Sequence, residues 1–324
     1  MRLVLVVSDC PPVLAEGEPP DAPPLPAIAA LLRASRVAPM TGGWRAELTR
    51  RFAPPPARAL APGVIASAAL AGPPGGHACL ATPVHLLATP DHLRLPADGL
   101  LRLSDDEGAA LAADFARVFD GAGLALQPLR GRFVLSGLAG EGGEDPAQVL
   151  GSKLAATTRG APAWRRLASE IELWLHSHPL NARRESRRQP RVDALWLWGG
   201  GPVPEAWPQV SATRVDLHGD DGFLAGLAAL AGTPLRSTDA DVGAGNAGAA
   251  DVVLQHAVVA TPREGGRTLA ELDATVVASQ VERLRRGELE SIELLIGTVA
   301  ARATRGGFAR FWRRRRPWWE YLRR

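Results

Sequence analysis

The order of apolar and polar positions gives a first map of the chain. Leu3–Val7 is an unbroken apolar run, the pattern of a strand buried on both faces of a parallel sheet. The prolines of "PPVLAEGEPPDAPPLP" then exclude regular structure. Ile28, Leu31 and Leu32 predict a helix over Pro26–Ser35 with Pro26 in its first turn, and a second helix is expected over Gly43–Phe52. From His77 short runs alternate, predicting small antiparallel strands, and "LALQPLRGRFVLSGL" predicts two strands around a turn. Between them Ser104 and Glu107 form a capping box before the stripe Leu111, Phe115, Phe119.

The strongest helical stripe follows: Trp164, Leu167, Ile171, Trp174 and Leu175, ended by Pro179. "RVDALWLWGGG" predicts a strand running into a glycine turn, with Trp196 and Trp198 packed on one face. "TRVDLHGDDG" predicts a strand and turn, "FLAGLAALAG" a helix, "ADVVLQHAVVA" a strand and "TLAELDATVVASQVERLRRG" a helix. "SIELLIGTVAARA" fits either a strand or a helix. Strands alternating with helices point to an α/β class with a mostly parallel sheet. The expected organisation is a core of residues 1–76 and 161–310, an inserted α+β subdomain at 77–160 and a basic aromatic tail at 311–324.

Composition adds little until charge is mapped. The chain has 324 residues, 46% hydrophobic and 22% charged, an ordinary globular balance. Its net charge of +3 conceals a basic C-terminus. Two cysteines are too few for a disulfide scaffold, no apolar run approaches a membrane span, and the N-terminus lacks a leader's apolar core. A cytoplasmic protein is expected.

Five groups are candidates for chemistry or binding. His176 and His178 fall ~200° apart on a helix, which argues against a shared metal and for contacts with the helix C-terminus. Asn181, Arg183, Arg184, Arg187, Arg188 and Arg191 could grip a small anion or form a solvated loop. Gly199–Gly200–Gly201 lies at a strand end, where open α/β sheets bind ligands, yet fits no nucleotide fingerprint. Asp216, His218, Asp220 and Asp221 are either ligands or a strand-end turn. In the tail, Arg310, Arg313, Arg314, Arg315 and Arg316 with Trp312, Trp318 and Trp319 suit nucleic acid, an anionic membrane surface or an acidic protein.

The segment "WRRLASEIELWLHSHPLNARRESRRQPRVDALWLWGGG" resembles the archaeal-type cofactor-independent phosphoglycerate mutases. It carries their His-Pro-x-Asn-x-x-Arg pattern at His178, Pro179, Asn181 and Arg184, then Ala194, Trp196, Trp198, Gly199 and Gly201. "PVHLLATPDHLRLPADGLLRLSDDEGAALAADF" resembles their small inserted domain, and "FARFWRRRRP" resembles the C-terminus of the bacterial RpfE-type regulatory branch. The resemblance implies a three-layer α/β sandwich of the alkaline-phosphatase type. It also implies an anion site at His178, Asn181, Arg184 and Gly199–Gly201. Catalytic members use a serine nucleophile and two divalent metals such as manganese or zinc. Here "SDCPP" leaves Asp9 alone after the first strand, and "VLQHAVVATPREGGR" keeps His256, with Asp273 beyond it, but not the rest of the ligand run. The expectation is therefore a regulatory or interaction protein without metal cofactors, Asp9 and His256 being remnants. The alternatives are a metal-dependent phosphomutase or phosphohydrolase acting on a small phosphorylated acid, and a nucleic-acid-associated protein.

Overall fold

A computed structural model describes residues 1–10, 22–53, 55–71, 76–140, 142–154, 162–207, 215–238, 250–260, 266–309 and 316–322. In chain order, β1 (Arg2–Ser8) leads to α1 (Pro26–Ala34), β2 (Arg36–Pro39), α2 (Gly43–Phe52) and α3 (Pro62–Ser67). Next come β3 (His77–Val84), β4 (Leu87–Ala88), β5 (Leu93–Arg94) and α4 (Asp105–Val118). They are followed by β6 (Ala125–Leu129), β7 (Arg132–Ser136), β8 (Lys153–Leu154), α5 (Pro162–His176) and α6 (Pro179–Ser186). Then β9 (Ala194–Pro202), β10 (Val215–His218), α7 (Gly222–Ala231), β11 (Leu235–Arg236), β12 (Asp251–Val259) and β13 (Arg267–Thr268). Helix α8 (Leu269–Leu272) continues through a π-helical turn (Asp273–Val277) into α9 (Ala278–Arg286), before β14 (Ser291–Ile296), β15 (Val299–Thr304) and α10 (Trp318–Leu322).

The chain folds as two units. Residues 1–52, 212–220 and 233–324 contribute the first, and 53–211 with 221–232 the second. The first is an α/β sandwich on a mostly parallel sheet, ordered β11-β10-β12-β1-β14-β15-β2, with β13 beside β12. Strands β11, β10, β12, β1 and β14 run parallel, and β15 and β2 close the edge antiparallel. The segment "SIELLIGTVAARA" is thus a hairpin, turned at Gly297, whose φ of 55° favours glycine. Leu3, Leu5 and Val7 of β1 pack with Ile28, Leu31 and Leu32 of α1 and with Val281 and Leu284 of α9. Each such fully buried side chain contributes ~1.5–3 kcal/mol over an exposed one. On β14, Glu293 alternates with these core residues and receives a two-pronged bond from Arg51 of α2 at 2.5 and 2.6 Å.

The second unit is built on the antiparallel sheet β6-β7-β3-β9. One face packs Leu111 and Phe115 of α4 and Trp164, Leu167 and Ile171 of α5 against Phe133, Leu195 and Leu197. The other packs Trp198 and Leu80 against Ala66 of α3. Helix α7 crosses α3 so closely that a Cβ at Gly226 would lie 1.8 Å from the Ile65 carbonyl oxygen. The capping box of α4 forms as expected: Glu107 N–H donates to Ser104 Oγ and Ser104 N–H to Glu107 Oε2.

Two expectations change. Strand β9 was expected in the parallel sheet, but it pairs antiparallel with β3 along its length. Because helices cover both faces of this sheet, its strands carry the continuous apolar run that normally marks a parallel one. This pairing also places α5, α6 and β9 with the segment 77–154 rather than with the parallel core, so the unit boundaries differ from 77–160. The second concerns the tail. Trp318 is buried in the parallel unit's core and donates its Nε1–H to the Pro23 carbonyl at 3.0 Å, with Leu322 beside it. An indole that donates one bond and buries the rest of its ring belongs to the fold. Trp319 is half-buried against the same core and Arg316 is exposed, while Arg310, Trp312, Arg313, Arg314 and Arg315 lie outside the described residues. No helix among the described residues is long and apolar enough to cross a membrane.

Candidate functional site

In the antiparallel unit the mutase-like segment is bound up with its own fold. His178 does not close α5; it caps the next helix, α6, accepting the Leu180 N–H at Nδ1 (3.1 Å). Pro179, expected as a stop, occupies the first position of α6, where its missing N–H costs nothing. With Nδ1 accepting, the neutral ring carries its proton on Nε2, 3.4 Å from Asp114 Oδ2. Burial is the main influence on His178 and holds its pKa below the usual histidine value, against the opposing pull of Asp114. Asp114 also accepts the Trp174 indole N–H at 2.8 Å, and that bond chiefly holds its carboxyl below the usual range.

Asn181 ties three backbone groups together. Its amide donates to the Leu175 and Val192 carbonyls (2.8 and 3.0 Å), and its carbonyl accepts the Val192 N–H (2.8 Å). Arg184, also buried, donates to both oxygens of Glu107 (2.8 and 2.9 Å) and to the Pro190 carbonyl (2.7 Å). The polar groups expected to meet an anion therefore meet the protein. Gly199, Gly200 and Gly201 lie inside β9 rather than in a turn beyond it. A Cβ at Gly200 would come 2.6 Å from the Gly140 carbonyl oxygen and 3.1 Å from Trp164, so this glycine permits close packing.

In the parallel unit, polar residues gather where the strands end. Strand β1 finishes at Ser8, followed by Asp9 in the left-handed region (φ 58°); beside it β12 places His256 opposite Val7. Ser8 Oγ accepts from Gln255 Nε2 at 2.7 Å, and Gln255 Oε1 accepts the Asp220 N–H at 3.2 Å. Asp216 and His218, alternate residues on β10, meet at 3.0 Å, and the second oxygen of Asp216 takes Arg236 Nε at 3.1 Å. Asp221 instead caps α7 in the other unit and sits 3.5 Å from Arg132. Asp273 is turned to α1, which has no cap of its own: its carboxylate accepts the Ala27 and Ile28 N–H groups at 3.1 and 2.6 Å. Burial nevertheless raises the Asp273 pKa, these bonds opposing it. Cys10 next to Asp9 is pushed up to about 12, mainly by burial, so it stays a thiol at neutral pH.

Beside β12 lies a cleft of about 200 Å³ whose polar lining is Thr238, His256, Arg267, Thr275, Ser279 and Gln280. Leu254 and Val276 supply the apolar wall. Of these residues only His256 stood out in the sequence. Nothing in the local pattern singled out the rest, since Gln280 follows Ser279 directly and adjacent helix positions point ~100° apart. Among the described residues no three His, Cys, Asp or Glu side chains are gathered as a metal site.

No family model and no curated protein matches the chain. Among solved structures it is similar to the PH0037 protein from Pyrococcus horikoshii, at 14% identity and a TM-score of 0.44, covering 94% of this chain and 87% of that one. It is also similar to a cofactor-independent phosphoglycerate mutase from Thermoplasma acidophilum DSM 1728, at 15% identity and a TM-score of 0.36, covering 93% and 88%. These superpositions are too loose to carry an argument about fold or activity.

Proposed function

We propose that the protein is a non-catalytic regulatory or interaction protein, built on a phosphoglycerate-mutase-like frame that has given up its two-metal centre. The reading is supported by how the carboxylates of the parallel unit are used. A two-metal phosphoryl-transfer site needs acids and histidines turned together onto the attacking and leaving oxygens. Here Asp273 faces the first amides of α1, and Asp216 is held between His218 and Arg236. Drawing either toward a metal would strip bonds from buried partners, at a cost of ~1–3 kcal/mol for each group left unpaired. These residues do not fit the metal pair.

The test is metal content with turnover. Purified full-length protein, supplied with manganese or zinc and then desalted, should retain less than stoichiometric metal and leave 3-phosphoglycerate unchanged. Two tightly held equivalents with mutase or phosphohydrolase turnover would replace this reading with the catalytic one.

A further inference from the structure

We infer that β2, the edge strand of the parallel unit's sheet, takes an acidic, extended segment of a protein partner as an added strand. One row across the sheet carries the charge. The pairing sets Val4 of β1 beside Glu293 of β14, Glu293 beside Arg302 of β15, and Arg302 beside Arg36 of β2, all on one face. Glu293 is already engaged, since both its oxygens receive Arg51 at 2.5 and 2.6 Å. Arg302 and Arg36 are thus left next to each other at the border of the sheet. Both are exposed, and among the described residues neither forms an ion pair. Like charges directly opposite on neighbouring strands repel, a cost that an approaching carboxylate relieves.

The backbone supplies the rest. Strand β2 ends the strand order, and among the described residues no strand pairs with its outer side. Arg36, Ala38 and Pro39 are exposed along it. An outer strand presents backbone N–H and C=O groups that an extended peptide can pair with. Pro39 stands at the last position, so its missing N–H does not interrupt the edge. Charge then decides which peptide fits. Cations on an edge keep strands from pairing indiscriminately, and a second copy of this edge would bring arginines to arginines. A strand that turns aspartate or glutamate toward Arg36 and Arg302 replaces that repulsion with charge-assisted hydrogen bonds to two guanidinium forks. Ala38 and Ala300, the next aligned pair on the same face, are too small to obstruct it.

The edge names a partner class for the interaction protein proposed above and rests on that reading, but its test is independent of metal content and turnover. Full-length protein is titrated by fluorescence anisotropy with a labelled peptide alternating glutamate and valine. The controls are a lysine–valine peptide, the glutamate–valine peptide N-methylated throughout, and a single-stranded oligonucleotide of similar length. Saturable binding of the unmethylated glutamate peptide is expected, and none of the lysine or methylated peptides. Arg36→Gln combined with Arg302→Gln should weaken it by about tenfold or more. Arg36→Glu with Arg302→Glu should transfer binding to the lysine peptide. The urea midpoint of the double glutamine variant should hold or rise, because a repulsion is removed; a fall would show that the two arginines serve the fold and overturn the inference. No saturable binding of the glutamate peptide overturns it too, as does undiminished binding in the folded double glutamine variant. Equal binding of the methylated peptide, which keeps the charge but cannot donate to the edge, removes strand addition. Tighter oligonucleotide binding lost in the same variants would give the edge to nucleic acid instead, and a dimer dissolved by the charge reversal would give it to a second copy.

Discussion

In the antiparallel unit, Asn181 and Arg184 lie within one helix and every bond described for them ends on the fold that carries them. In the parallel unit, Arg267 and His256 stand on different strands, with Gln280 two helical elements further on, yet they line one cleft. The dense cluster in sequence is a latch, and the scattered residues make the cavity. Adjacency along the chain favours local jobs such as capping and tying turns, because neighbours are already close at small entropic cost. A cavity needs walls from separate elements, so its residues are spread through the sequence.

The comparison is broken most sharply at Asn181. Asn181→Ala leaves the Val192 N–H and C=O and the Leu175 carbonyl without this partner inside the unit. A loss of about 3 kcal/mol is expected in urea unfolding. An unfolding midpoint left unchanged by Asn181→Ala would overturn the assignment of Asn181 as a latch.

Arg184→Met comes next. The pair with Glu107 is nearly enclosed, its side chains 6% and 16% exposed, so deleting the cation leaves a carboxylate poorly solvated. Glu107 keeps its capping bond to the Ser104 N–H, which limits the damage to about 2 kcal/mol. Unfolding midpoints should fall for Arg184→Met and recover in part when Glu107→Gln is added. A midpoint unchanged by the single variant would show that Arg184 is free for a ligand after all.

Much of this was legible beforehand, and the failures share a cause. The strands β1, β10 and β12, the helices α1 and α2 and the capping box follow from local pattern alone, since burial period and cap chemistry are properties of neighbouring residues. The partner of β9 was not legible. Leu195 and Leu197 face one helical layer and Trp198 the other, so no polar alternation betrays an antiparallel sheet. Trp318 misled for a related reason: arginines around it suggested an interaction tail, but its contact with Pro23 spans almost the entire chain. The cleft was invisible because Thr238, Arg267 and Ser279 have nothing in common except where the fold puts them.

His178 gives the smallest and most specific effect. Burial holds its pKa below the usual histidine value, so the unfolded chain takes up a proton more readily than the folded one. The stability contributed by the neutral ring is present above the unfolded pKa, ~6.5, and is lost as pH falls below it. Asparagine at this position keeps a cap acceptor for the Leu180 N–H but cannot be protonated. It gives up the edge contact with Trp174, whose ring centre lies 5.2 Å from that of the imidazole. His178→Asn should therefore be less stable than wild type at pH 7.5, by no more than about 1 kcal/mol, and the gap should narrow by pH 5.5. Urea midpoints at the two pH values for both proteins read this directly. Parallel losses in the two proteins would mean that His178 is indifferent to its cap, and that the latch rests on Asn181 and Arg184 alone.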